Sequence, residues 1–165
     1  MGKSKNATRH AARELAFQVL YGLSFTPAMN RLELRRAFVL SPHNAHMDER
    51  HLGEEPTGFA WELVEGVWTH SAALDATISR FSHHWRVDRM GRIELTLLRL
   101  AMFEILHRQD VPPKVAINEA LELGGQFGNS DAKTFMNGIL DAAARALANG
   151  SLCPAAPKPQ TTTLP

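Results

Sequence analysis

Apolar residues recur at helical spacing through most of this chain and nowhere alternate with period two for long enough to make a strand, which restricts the fold to helices. Ala12, Leu15, Ala16, Val19, Leu20 and Leu23 give one buried face to a helix over 7–25, and Leu32, Leu34, Ala37 and Val39 give a shorter one over 30–39, limited by Pro42. From Ser41 to Pro56 the chain carries four acids, three histidines and two prolines with hardly any large apolar side chain, the composition of a solvated loop. Phe59, Leu63, Val64 and Val67 predict the next helix, and Leu74, Ile78 and Phe81 predict another after a break near His70 and Ser71. Asp88 is the expected N-cap of a helix whose Ile93, Leu97, Leu98, Leu100, Ala101 and Ile105 are apolar on more than one side, so that helix should be central. Pro112 and Pro113 suit the start of a helix continued by Val115, Ala116, Ile117, Ala120 and Leu121. Gly124, Gly125 and Gly128 read as its stop rather than as a loop that cradles phosphate. Ser130 is then the expected cap of a last helix through Phe135, Met136, Ile139, Leu140, Ala143 and Leu147. The expected fold is all-α with about seven helices, followed from residue 150 to 165 by a disordered, proline-rich tail.

The 165 residues are 44% hydrophobic, enough for one sizeable core, and 18 Lys and Arg against 17 Asp and Glu leave no global field to announce a polyanion or a membrane. Leu95 to Leu106, the most apolar stretch, is too short to span a bilayer and is interrupted by Arg99 and Glu104, so no membrane partner is expected. The single cysteine, Cys153, excludes an internal disulfide, and with no signal peptide read at the basic N-terminus the simplest compartment is the cytoplasm.

Catalytic chemistry finds little support. The sequence has no G-x-S-x-G, H-E-x-x-H or G-x-x-x-x-G-K motif, so no nucleophile with its base can be assembled and the chain is read as a non-enzyme without a cofactor. His43, His46, Asp48 and His51 lie close in sequence, as do His83 and His84, but the first group falls in a loop and the second at a helix end, so no metal site is assigned. The one local charge asymmetry is at the N-terminus, where Lys3, Lys5, Arg9 and Arg13, with His10 among them, precede the first acid, Glu14. On a helix, Lys5, Arg9, Arg13, Phe17 and Tyr21 form a slanting stripe, basic at one end for phosphates and aromatic at the other for a base. The plainer alternative is a solubilising basic terminus with Phe17 or Tyr21 in the core.

Two stretches then belong together. Ala12-Arg13-Glu14-Leu15-Ala16 with Leu20-Tyr21, and the Arg92-to-Arg145 segment with its DVPPKVAINEA run, the Phe127-Gly128 pair and the F-x-N-G-x-L-D ending, resemble the NusB family of bacterial transcription antitermination factors over about two thirds of the chain. The resemblance implies a single helical domain over 1–149, with an N-terminal subdomain over about 7–82 and a C-terminal one over about 86–149. It implies a protein that pairs with the small-subunit ribosomal protein doubling as NusE. The pair would bind the single-stranded boxA element of nascent RNA and load an antitermination complex on RNA polymerase, chiefly at ribosomal RNA operons. Lys3, Lys5, Arg9, His10 and Arg13 match the family's basic RNA-binding terminus, and Tyr21 and Asp131 are carried over with them as RNA contacts. Glu94 and Phe135 are carried over as partner contacts. Each keeps a plain alternative: Tyr21 and Phe135 as core aromatics, Glu94 and Asp131 as helix N-terminal acids. The rival readings are a helical protein-binding module without an RNA role, and the NusB-like accessory domain of an RNA methyltransferase. The same apolar faces leave self-association possible.

Overall fold

The computed structural model describes residues 2–83 and 85–155, with side chains from Thr8 onward. Six α-helices account for most of the described chain: α1 (Gly2–Leu23), α2 (Arg31–Val39), α3 (Phe59–Phe81), α4 (Arg92–His107), α5 (Pro113–Phe127) and α6 (Ser130–Ala148). Two short 3-10 turns, Glu49–His51 and Val87–Arg89, sit in the connections, and no strand occurs among the described residues. α4 is central, as its apolar pattern predicts. Thr96 to Leu98 and Leu100 to Leu106 are all buried, and the helix packs against α1, α3, α5 and α6. Buried residues from all six helices join one core cluster.

The helix count falls from seven to six because α3 runs unbroken through His70 and Ser71. Neither residue removes a backbone donor, and the His70 imidazole pairs with the Gly66 carbonyl one turn back while its ring lies 4.3 Å from that of His107 on α4. Glycine also marks something other than an ending. Gly124 and Gly125 lie inside α5, and only Gly128 caps it. Gly124 is buried where α5 meets α6, and a Cβ there would stand 2.5 Å from the Met136 methyl. Gly66 on α3 makes a still closer approach, its missing Cβ replaced by the Phe103 ring of α4.

Two expected caps move by a residue or more. Asn129, not Ser130, caps α6, accepting from the Ala132 amide at 3.0 Å. Asp88 lies in the Val87–Arg89 turn and pairs with Arg86, leaving Gly91 at the start of α4. Asn30 caps α2 through the Glu33 amide, and Arg35 ties the following loop back by donating to the Leu52 and Glu54 carbonyls. After α6 the chain turns at Gly150, whose φ of +81° favours glycine, and continues as a strap rather than leaving the surface. The Leu152 amide donates to Ala146, the Ala155 amide donates to Leu106 at the end of α4, and Arg80 holds the Ser151 carbonyl. The expected disordered tail therefore does not begin at residue 150; residues 156–165 lie outside the described chain.

Candidate nucleic-acid interface

α1 places Arg9, Arg13, Phe17 and Tyr21 at four-residue spacing, but the residues opposite them decide what each can do. Arg13 is a correction to the sequence reading: it is 3% exposed, and its guanidinium makes three hydrogen bonds of 2.8 to 3.1 Å to both carboxylate oxygens of Glu104 in α4. It is a buried ion pair that holds α1 to α4, and it presents no charge for a phosphate. Burial pushes the Glu104 carboxyl above its ordinary range, and the Arg13 hydrogen bonds and charge oppose that. Phe17 is also core, packed between Tyr21 and Phe127, so the aromatic end of the stripe is reduced to Tyr21. The side chains of Lys3 and Lys5 lie outside the described residues.

His10 and Arg9 remain at the surface with acidic neighbours. The His10 imidazole Nδ1 is 2.6 Å from Glu119 in α5, and this hydrogen bond raises the His10 pKa above its ordinary value. Partial burial lowers it, and the charges of Glu119, Glu122 and Glu14 raise it further. His10, Glu119 and Glu122 are also the one group among the described residues with metal-like spacing. The Arg13 guanidinium stands 3.7 Å from Glu119, so that carboxylate faces Arg13 as well as His10. In the loop, His51 and Arg50 both bond Asp48, which caps the Glu49–His51 turn. Arg9 lies over the Phe59 ring at 4.5 Å and bonds Asp110 at 2.8 Å. Asp110 also accepts two bonds from Arg108, at 2.9 and 3.0 Å, and Arg108 in turn pairs with Glu62.

Two further surfaces flank the first turn of α4. On one side Tyr21, half-buried, meets the exposed Phe25 edge to face at 5.2 Å, and the Arg92 guanidinium covers Phe25 at 4.3 Å. Here aromatic and cationic side chains meet at the surface beside the end of α1. On the other side a notch of about 360 Å³ is lined by Trp85, Met90, Glu94, Asp131 and Phe135. Trp85 is 59% exposed and stands edge-on to Phe135 at 5.7 Å. Glu94 belongs to the first turn of α4 and Asp131 to the first turn of α6, where the helix dipoles favour an anion. The structure thus unites Glu94, Asp131 and Phe135, which the sequence reading divided between RNA and partner, and sets Arg9 and His10 apart from them. Sequence reasoning missed Trp85, Phe25, Arg92 and Arg108. The signals were present for two: Phe25 continues the four-residue spacing past Tyr21, and Trp85 is a large aromatic in a polar connection.

No helix among the described residues is long and apolar enough to cross a membrane. A family model described as the NusB family matches residues 10–145. The transcription antitermination protein NusB of Desulfovibrio desulfuricans is 69% identical over 153 residues, covering 92% of this chain and 93% of that protein. Its counterpart in Myxococcus xanthus is 44% identical, covering 84% and 96%. Among solved structures, T. maritima NusB superimposes with a TM-score of 0.67 at 26% identity, covering 83% of this chain and 90% of that one. A chain from the crystal structure of antitermination factors NusB and NusE in complex with dsRNA has the same fold, with a TM-score of 0.62 at 24% identity, covering 84% and 96%.

Proposed function

The chain belongs to the NusB family, and on that premise we propose that it is an RNA-binding transcription antitermination factor of the cytoplasm that works by binding rather than by catalysis. It pairs with NusE, and the pair binds single-stranded boxA RNA and joins the antitermination complex on RNA polymerase, mainly at ribosomal RNA operons. The observation that carries this reading is the match over nearly the whole folded chain to a relative called a transcription antitermination protein. The expected division at 7–82 and 86–149 goes with the same reading, with the Val87–Arg89 turn as the junction.

Lys3, Lys5, Arg9, His10 and Tyr21 contact RNA, joined by Arg92 and Phe25, whereas Arg13 is assigned to the core. Glu94 and Phe135 contact NusE, and Asp131, in the same notch, lies where the RNA and the protein partner meet. Fluorescence anisotropy with single-stranded and double-stranded boxA RNA, with and without NusE, at two salt concentrations, tests the reading. Tighter RNA binding in the presence of NusE is expected, and by linkage RNA must tighten the protein pair by the same factor. NusE binding without RNA binding by either protein or the pair would leave the protein-binding module as the better description.

A further inference from the structure

Three guanidiniums crowd one aromatic ring: Arg9 at 4.5 Å and Arg13 and Arg108 at 5.1 Å from the centre of Phe59. Arg13 is consumed by Glu104, but Arg9 and Arg108 share a single carboxylate, that of Asp110. The order from inside to outside is clear from exposure, since the Asp110 side chain is 48% exposed while Arg9 and Arg108 are 25% and 21% exposed. An anion therefore lies outside two cations that themselves stand over an aromatic ring. We propose that Asp110 occupies the place of an RNA phosphate, so that Arg9, Arg108 and Phe59 form a phosphate site which an internal carboxylate keeps filled until RNA displaces it. This rests on the RNA-binding reading above and adds to it Arg108 as a contact and Asp110 as a competitor.

The chemistry supports exchange. A carboxylate and a phosphate offer guanidinium the same pair of oxygen acceptors, and Arg108 meets Asp110 through both Nε and a terminal nitrogen. Each arginine has a second anchor besides Asp110. Arg9 is retained by the Phe59 face, and Arg108 by that face, by Glu62 and by its place at the end of α4. Two cations against Asp110 and Glu62 make a neutral cluster. Partial burial raises the Asp110 pKa, but hydrogen bonds and charge from Arg108 and Arg9 outweigh it and hold the carboxyl down at about 2. Protonation near neutral pH therefore cannot vacate the site, and only a competing anion can.

The test titrates a labelled single-stranded boxA-type RNA with wild type, Asp110→Asn, and Asp110→Asn combined with Arg9→Gln, across a salt series, with folding checked by thermal melting. Asp141→Asn, which removes one charge from the remote Asp141–Arg145 pair on α6, controls for net charge. Each phosphate engaged on a single strand contributes about 0.7 to the log–log salt slope. Asp110→Asn, which leaves RNA no carboxylate to displace, should bind severalfold tighter at an unchanged slope, Asp141→Asn should change affinity less than twofold, and the added Arg9→Gln should abolish the gain. Wild type that binds RNA with a folded Asp110→Asn no tighter would overturn this inference alone. Should Asp110→Asn fail to fold, Arg108→Gln decides: unchanged RNA affinity and slope overturn the inference. Absence of RNA binding by every variant would overturn the functional reading as well.

Discussion

A single buried guanidinium separates adhesion from recognition along α1. Arg13 and Glu104 are each out of water and hydrogen-bonded to one another, with Glu119 3.7 Å from the guanidinium, so removing Arg13 leaves the buried Glu104 charge uncompensated. Arg13→Ala should therefore lower unfolding free energy by about 3–5 kcal/mol in urea titration, the opposite of what an exposed phosphate contact would give. A loss within ~0.5 kcal/mol would return Arg13 to the surface. Its role was hidden in the sequence because the spacing of cations along one helix says nothing of what faces them. The clue lay elsewhere: Glu104 interrupts the most apolar helix, and a carboxylate there requires a partner. His10 supplies a pH-dependent counterpart. Its pKa is raised in the folded protein by the Glu119 hydrogen bond, so the stability it contributes is full below its ordinary value and is lost as pH rises through the raised value. Glu119→Gln should lower the His10 titration midpoint observed by NMR and shift that loss of stability to lower pH.

Helices were legible because their signal is a period, and a period survives ignorance of partners. Glycines were less so, since a helix stop and a close helix approach use the same residue. Gly66 and Gly124 differ in what would resist a methyl group. At Gly66 the obstacle is the buried Phe103 ring, with atoms at 2.1 to 2.7 Å from the Cβ position, whereas at Gly124 it is the flexible end of Met136. Gly66→Ala should cost about 1–3 kcal/mol from overpacking, even though alanine favours the helix. Gly124→Ala should fall within about 1 kcal/mol of wild type, the helix gain offsetting the Met136 shift. Chemical denaturation of both variants checks the contrast, and equal costs would mean that the α3–α4 contact yields as readily as the α5–α6 contact. The unbroken α3 is a related case, because a histidine beside a serine resembles a boundary only until the His70 ring is seen against α4.

The whole molecule adds a constraint that no segment carries alone. The strap from Gly150 to Ala155 links the ends of α6 and α4, so truncation after Asn149 removes three backbone hydrogen bonds and the packing of Leu152. A loss of about 1–3 kcal/mol is expected, read as a lower melting temperature, and an unchanged melt would mean that the strap is passive. The family motifs were enough to locate the notch residues, but their convergence with Trp85, and the pairing of Arg9 and Arg108 with Asp110, depend on contacts between distant segments. Folding decides those contacts, and a linear spacing does not encode them.

α1 and α4 run in opposite directions, for Arg13 meets Glu104 near one end of the pair while Ser24 and Phe25 meet Arg92 at the other. Arg9 and Tyr21 are twelve positions apart on one straight rod, which at 1.5 Å per residue sets the two candidate contacts about 18 Å from each other. The antiparallel pair is in effect a molecular ruler. A stacked strand advancing about 3.4 Å per nucleotide covers that interval in roughly five steps. Oligonucleotides shorter than this can rest on the guanidiniums or on the aromatic pair but cannot bridge them, so affinity measured against RNA length should rise in a step, rather than smoothly, once the strand reaches both marks.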